Sequence, residues 1–232
     1  MDNSKSRELF DDLASEYSAV AKLNVGLVDG KNDYLNKYKV QVTYEVAPES
    51  SNILDYGCGI GLSIPYFRSF FPGAKLTAYD PSEKSLGMVL QRDSSVKIVS
   101  KKENLNRESF DLIFLSCVVH HIEPSALVEN LRFTINLLKS DGSIIFFEHN
   151  PLNPLTQLVV ANSPIDKDAT LIRKSQLIKL LKSIEPSLKI YSRYTVFFPS
   201  FLKFLRPFET RYLGNCPIGA QFFVKATKVV RN

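Results

Sequence analysis

The chain has 232 residues, 44% of them hydrophobic and 23% charged, which is globular composition and excludes disorder on a large scale. It is long enough for one α/β domain with a full core and too short for two typical ones. The formal charge of +5 resides beyond Ser200, where Lys203, Arg206, Arg211, Lys225, Lys228 and Arg231 face only Glu209, and no nucleic-acid-binding motif accompanies that basic end.

No apolar run approaches the ~18 residues of a spanning helix. Met1–Phe10 is polar and mixed in charge, unlike a secretory leader, so the expected location is cytoplasmic. Cys58, Cys117 and Cys216 are far apart and form no C-x-x-C pair, which argues against a disulfide framework or a zinc site. No metal is expected.

In chain order, Leu9, Phe10, Leu13, Ala14, Tyr17 and Val20 recur at three and four and predict an amphipathic helix from Ser6 to about Leu23. A turn near Gly26–Gly30 precedes a second helix, roughly Asp33–Val46, which Pro48 ends. The most informative stretch follows, SNILDYGCGIGLSIPYFRSFF from Ser51 to Phe71. Ile53–Tyr56 reads as a buried strand, Gly57, Gly59 and Gly61 as a tight turn, and the rest as a helix. Alternate glycines let the backbone bend into φ > 0 and approach a ligand closely, at the carboxyl end of the first strand of an α/β sheet. Cys58 inside this turn reads as a small packing residue. A dinucleotide fingerprint requires glycine where Leu62 stands, which disfavours a nicotinamide dehydrogenase.

After the Pro72-Gly73 break, Ala74–Tyr79 is a second strand closing on Asp80, and an acid about 20 positions beyond such a turn is placed to accept ribose hydroxyls. Ser82 caps the next helix, to about Arg92. Val96–Ser100 is a third strand and Phe110–Ser116 a fourth, apolar enough to be buried on both faces. It runs toward His120 and His121. Adjacent residues on extended chain face opposite ways, so one of the pair, His121, is expected in the cleft, where an imidazole can take a proton near neutral pH.

Pro124 starts a helix to about Lys139, Asp141-Gly142 turns the chain, and Ser143–Phe147 is a fifth strand. Glu148, His149 and Asn150 sit at its carboxyl end, where open α/β sheets place ligands. They are substrate-site candidates, with His149 a second candidate base or else a loop hydrogen-bonder. A cap from Leu155 to Leu171, a helix at Arg173–Ile184, strand six at Leu188–Phe198 and strand seven at Gln221–Val230 complete the chain. The long join between the last two strands interleaves Phe197, Phe198, Phe201, Phe204, Phe208 and Tyr212 with Lys203, Arg206 and Arg211. It reads as an apolar pocket with a cationic rim, as a peripheral membrane contact through residues 197–212, or as a buried lid completing the core.

The order D-x-G-x-G-x-G in LDYGCGIG, the phrase AYDPSEKSL and the opening FDDLASEY resemble the class I, seven-strand S-adenosylmethionine (SAM) methyltransferases of the small-molecule branch. That resemblance implies an α/β, Rossmann-like doubly wound seven-stranded sheet, mostly parallel with an antiparallel last strand. It implies an N-terminal helical cap over residues 1–48 and a methyltransferase domain over 49–232, with substrate-cap insertions at about 150–171 and 198–218. The implied cofactor is SAM, held by Tyr17, Asp55, Gly57, Cys58, Gly59, Asp80, Pro81, Glu103 and Ser116, with His121 and His149 as catalytic candidates. Lys101 stands where the family usually has an acid near the adenine, so Glu103 or backbone groups serve there instead.

The implied reaction moves a methyl group to an oxygen, nitrogen or carbon of a small-molecule, sugar or lipid-linked acceptor, with anionic acceptors in view and no nucleic acid. Such in-line displacement gains much of its rate from alignment and demands no fixed catalytic signature. The alternative is a non-catalytic binding protein on the same fold, for which the Lys101 departure speaks.

Overall fold

The computed structural model describes residues 33–166, 169–198, 204–205 and 208–229. The expected first helix, and with it Tyr17, lies outside the described residues. The described chain begins with α1 (Asp33–Val46), the helix expected there, and β1 (Asn52–Tyr56), and continues through α2 (Ile64–Phe70), β2 (Lys75–Tyr79), α3 (Glu83–Arg92), β3 (Lys97–Val99) and β4 (Phe110–Ser116). Then come α4 (Pro124–Leu137), β5 (Leu138–His149), α5 (Pro154–Ala161), α6 (Lys174–Ile184), β6 (Lys189–Thr195) and β7 (Gln221–Thr227).

All seven strands join one sheet in the order β3-β2-β1-β4-β5-β7-β6. The neighbours from β3 to β5 pair in parallel, and β7 is antiparallel to both β5 and β6. The strand order reverses between β1 and β4, and the loops leaving β1 and β4 flank that switch point, where open α/β sheets bind ligands.

Alternation along the strands divides the core into two layers. Leu54, Ile113, Leu115, Ile144, Phe146, Phe222 and Val224 face α4 and α6 through Leu131, Ile135, Leu177 and Leu181. Ile53, Leu112, Phe114, Ile145, Phe147 and Phe223 face α1, α2 and α3 through Val40, Phe67, Leu86 and Val89. Ser82 caps α3 as its sequence predicts, its hydroxyl accepting the Ser85 N–H.

The fifth strand is longer than the expected Ser143–Phe147. The chain leaves α4 directly into extended backbone at Leu138, and the Asp141-Gly142 signal becomes an irregularity in the ladder, with Asp141 at φ 60° and a register shift between Phe110 and Leu112. At the other end, β7 pairs along β5 as far as His149 and keeps it extended.

Candidate active site

The turn after β1 is built from backbone. The N–H groups of Gly57 and Cys58 both donate to Tyr79 O, at 2.8 and 3.0 Å, which folds the turn against the end of β2. Gly57 has φ 75°, and a Cβ there would come within 2.7 Å of Val118 Cγ2. Gly59 has φ 51° and open space on its Cβ side, the backbone approach that a ligand would use.

Asp80 closes the turn. Its Oδ2 accepts the Gly59 N–H at 2.9 Å and its Oδ1 the Ser82 N–H at 2.9 Å. An ionised carboxylate only accepts hydrogen bonds, which is the chemistry that ribose hydroxyl groups meet. Asp55 lies beneath, with Oδ2 buried and unpartnered. Burial, with Asp80 adding, pushes its carboxyl up to about 7. The half-buried Cys58 donates its thiol to Gly59 O at 3.4 Å, and burial together with Asp55 and Asp80 keeps that thiol protonated. Pro81 follows Asp80 and is partly buried, whereas Glu103 is exposed on the short turn Lys102–Asn104. A glycine turn with room beside Gly59, an acceptor at Asp80 and an orphaned Asp55 oxygen fit SAM.

The carboxyl ends of β4 and β5 carry the second half of the site. Beyond Ser116 the chain does not stay extended. Cys117 takes φ 59° and Val119–His121 form a 3-10 turn. The expectation that His120 and His121 face opposite ways therefore fails: their ring centroids are 4.2 Å apart and the Nε2 of each lies 3.4 Å from Asp166 Oδ1. His120 is buried against Glu148, with Nδ1 2.5 Å from Oε2. Burial opposes a charged imidazole there, yet the Glu148 and Asp166 carboxylates outweigh it and raise His120 to about 10. Burial holds His121 below its ordinary value.

Two of the substrate-site candidates after β5 are occupied by the protein itself. Glu148 accepts the Val118 and Val119 N–H groups at 2.9 and 2.7 Å besides meeting His120. Asn150 donates to Pro217 O and Gly219 O at 2.8 and 2.7 Å and so fastens the entry to β7. His149 is partly exposed at the end of β5, its ring 5.2 Å from that of His120.

Several groups at the site carry no sequence motif. Lys39 of α1 is buried, with Nζ 2.8 Å from Ser116 Oγ and 3.3 Å from Cys117 Sγ. Burial alone would raise the Cys117 thiol, but the Lys39 ammonium and His149 outweigh it and bring it down to about 6. The antiparallel register sets His149, Gln221 and Thr195 in one row across β5, β7 and β6, with Phe147, Phe223 and Arg193 in a row two residues away, on the same face. In this patch Arg193 Nε and Nη2, Thr195 Oγ1 and Gln221 Oε1 are buried without a hydrogen-bond partner. Gln221 Nε2 reaches Cys117 Sγ at 3.7 Å, and the Arg193 guanidinium lies over the Phe223 ring at 5.7 Å.

The join between β6 and β7 does not bury the aromatic side chains described in it as a lid would. Phe204, Phe208 and Tyr212 are 69, 55 and 65% exposed. Glu209 is buried instead and holds the segment by accepting the Phe197 and Phe198 N–H groups at 3.0 and 2.8 Å. No helix among the described residues is long and apolar enough to cross a membrane.

A seven-stranded sheet with only β7 reversed, a glycine turn at the switch point and an acid closing that turn from β2 define the Rossmann-like SAM-dependent methyltransferases. The chain belongs to the methyltransferase-domain family, whose model matches residues 30–184, and it is a SAM-dependent methyltransferase. Solved structures agree in fold. A SAM-dependent methyltransferase from Thermotoga maritima superposes with a TM-score of 0.71 at 18% identity, over 96% of this chain and 99% of that one. Haemonchus contortus phosphoethanolamine N-methyltransferase 2, with phosphomonomethylethanolamine and S-adenosylhomocysteine, gives 0.67 at 16% identity, over 97% of this chain and 60% of that one. Human N-acetylserotonin methyltransferase in complex with SAM gives 0.67 at 16%, over 99% of this chain and 61% of that one. No curated protein matches the chain in sequence.

Proposed function

We propose that the acceptor is a small molecule bearing a carboxylate or phosphate group, methylated on a hydroxyl or amine. The observation that carries this reading is the orphaned polar patch on β6 and β7. Arg193 holds Nε and Nη2 buried without partners, beside the equally unpartnered Thr195 Oγ1 and Gln221 Oε1. A buried guanidinium with unmet donors costs stability, and an anion with two oxygens satisfies its fork in one step. Thr195 and Gln221 would take the acceptor's remaining donors.

On this reading Gly57, Gly59 and Asp80 hold the cofactor, with Asp55 beneath the turn and Ser116 at the end of β4. SAM supplies a methyl carbon already activated by its sulfonium. The protein's part is to align the acceptor's nucleophile with that carbon and to exclude water. His149 lies in the same row as Gln221 and Thr195, which supports it as the group that would receive the proton a hydroxyl or ammonium nucleophile gives up. Among proteins of this fold, the Haemonchus enzyme holds a phosphate-bearing amine.

The test is methyl transfer from tritiated SAM to a panel of hydroxy and amino carboxylates and phosphomonoesters, each paired with its neutral ester. Turnover is expected on anionic members alone. Arg193→Gln should raise KM for them by roughly ten- to a hundredfold while SAM affinity is unchanged. Equal turnover of the neutral esters would remove the anionic anchor from the reading, and His149→Gln with undiminished kcat would remove the base.

A further inference from the structure

We propose that His120, His121 and Asp166 form a binding site for one divalent transition-metal ion of the zinc class. The three ligand atoms lie within 4.8 Å of one another, and Asp166 Oδ1 is 3.4 Å from Nε2 of each histidine. Bonds of about 2.0–2.1 Å to a tetrahedral ion place its donors roughly 3.3–3.4 Å apart. The two Nε2–Oδ1 separations have that value.

A second observation points the same way. His120 Nε2 is fully buried and makes no hydrogen bond, although Asp166 stands at ion-pair distance. Its other nitrogen meets Glu148 Oε2, and Glu148 is itself fixed by the Val118 and Val119 N–H groups. With Nδ1–H donating to that carboxylate, an ion bound beside Nε2 would displace the second proton of the His120 imidazolium and take up the electron pair on the side of Asp166. A carboxylate behind a ligating imidazole is the arrangement that sets tautomer and ring orientation in metal sites.

The donor set selects the ion. Two imidazoles and a carboxylate suit zinc and its first-row neighbours, whereas magnesium and calcium prefer oxygen alone. Glu148 and Asp166 together neutralise a doubly charged cation, and three protein ligands leave a tetrahedral ion one open position. The side chains of His121 and Asp166 are 19 and 15% exposed, which gives an ion a way in. Asp166 belongs to the cap segment after α5, and the histidines to the turn after β4. An ion would tie the two together, next to the Thr170 N–H bond to His120 O at 2.8 Å that already joins them.

The experiment uses the full chain, stripped with chelator and titrated with zinc chloride in a calorimeter and with cobalt chloride in a visible spectrometer. One ion per chain and the ligand-field bands of four-coordinate cobalt are expected. His121→Ala and Asp166→Asn, both at partly exposed positions that leave the core intact, should each weaken binding by more than about a hundredfold, with circular dichroism unchanged. No binding by the wild-type chain would overturn the site. So would binding unaltered in both variants, which would place the ion elsewhere, or equal competition by magnesium. The titration requires neither acceptor nor cofactor, so its outcome is independent of the methyl-transfer reading.

Discussion

Two aspartates on neighbouring strands occupy opposite ends of the sheet. At the amino end, Asp111 of β4 accepts the Ser51 N–H, the Ser51 hydroxyl and the Asn52 N–H through Oδ2 at 3.2, 2.9 and 2.8 Å, and Lys139 Nζ through Oδ1 at 2.8 Å. Burial would raise its carboxyl, but these donors outweigh it and bring Asp111 down to about 2. At the carboxyl end, Asp55 of β1 keeps an oxygen buried and unpartnered, and burial with Asp80 lifts its carboxyl to about 7. One aspartate closes the entry to β1 with protein donors. The other stands with Arg193, Thr195 and Gln221 among polar groups that the protein leaves unmet. At the amino end protein donors satisfy the aspartate, and at the carboxyl end buried polar atoms are left that a non-protein partner could meet.

The largest effect expected at the carboxyl end comes from Glu148, whose two oxygens both meet protein donors. Glu148→Ala strips a buried imidazolium and two backbone N–H groups of their acceptor and should cost about 3–5 kcal/mol, read as a lower midpoint in urea unfolding. An unchanged midpoint would mean that Glu148 serves the ligand rather than the fold. Asp80→Ala comes next, weakening SAM by roughly ten- to a hundredfold in calorimetric titration, whereas Asp111→Ala should leave SAM affinity where it was. If both variants lose cofactor alike, the division between the two ends is wrong.

The pH dependence of stability should differ in sign between the two aspartates. Asp55 stands above its ordinary value in the folded chain, so its contribution is fully present below about pH 4 and declines as pH rises through about 7. Asp80 and the Cys58 thiol are the titrating groups coupled to it. Asp55→Asn should therefore stabilise the protein above pH 7, by on the order of 1–3 kcal/mol, and the gain should vanish toward pH 4. Asp111 stands below its ordinary value, so its contribution is present above about pH 4 and is lost as pH falls toward about 2. Its carboxylate is partly exposed and screened, and Asp111→Asn should cost only about 1 kcal/mol at neutral pH. Thermal melts of the two variants from pH 2 to pH 8 distinguish these signs. Parallel curves would place the two carboxyls in equivalent environments.

The elements legible in the sequence are those governed by neighbours a few residues apart. Helix α1 follows from its spacing and from Pro48, the α3 cap from Ser82, and β4 from its unbroken apolar run. Gly57 and Gly59 announce a turn with φ > 0, and Asp80 stands at the distance an acid needs to close it. The misreadings occurred where the chain departs from regular extension. Cys117 in the left-handed region and the 3-10 turn after it bring His120 and His121 to one carboxylate. The same local logic placed Glu148 and Asn150 correctly at a strand end but did not reveal that protein donors and acceptors already occupy them.

By itself, the sequence determined the order of strands and helices, the glycine turn and the family, because hydrophobic period, capping and turn chemistry act over one or two turns of chain. Only the tertiary structure decided that Lys39 reaches Cys117, that Asp166 meets the two histidines and that Arg193, Thr195 and Gln221 share a patch. The last of these follows from inserting β7 between β5 and β6 in antiparallel register. Such meetings depend on the packing of the whole sheet against its helices, and no spacing within any one segment encodes them.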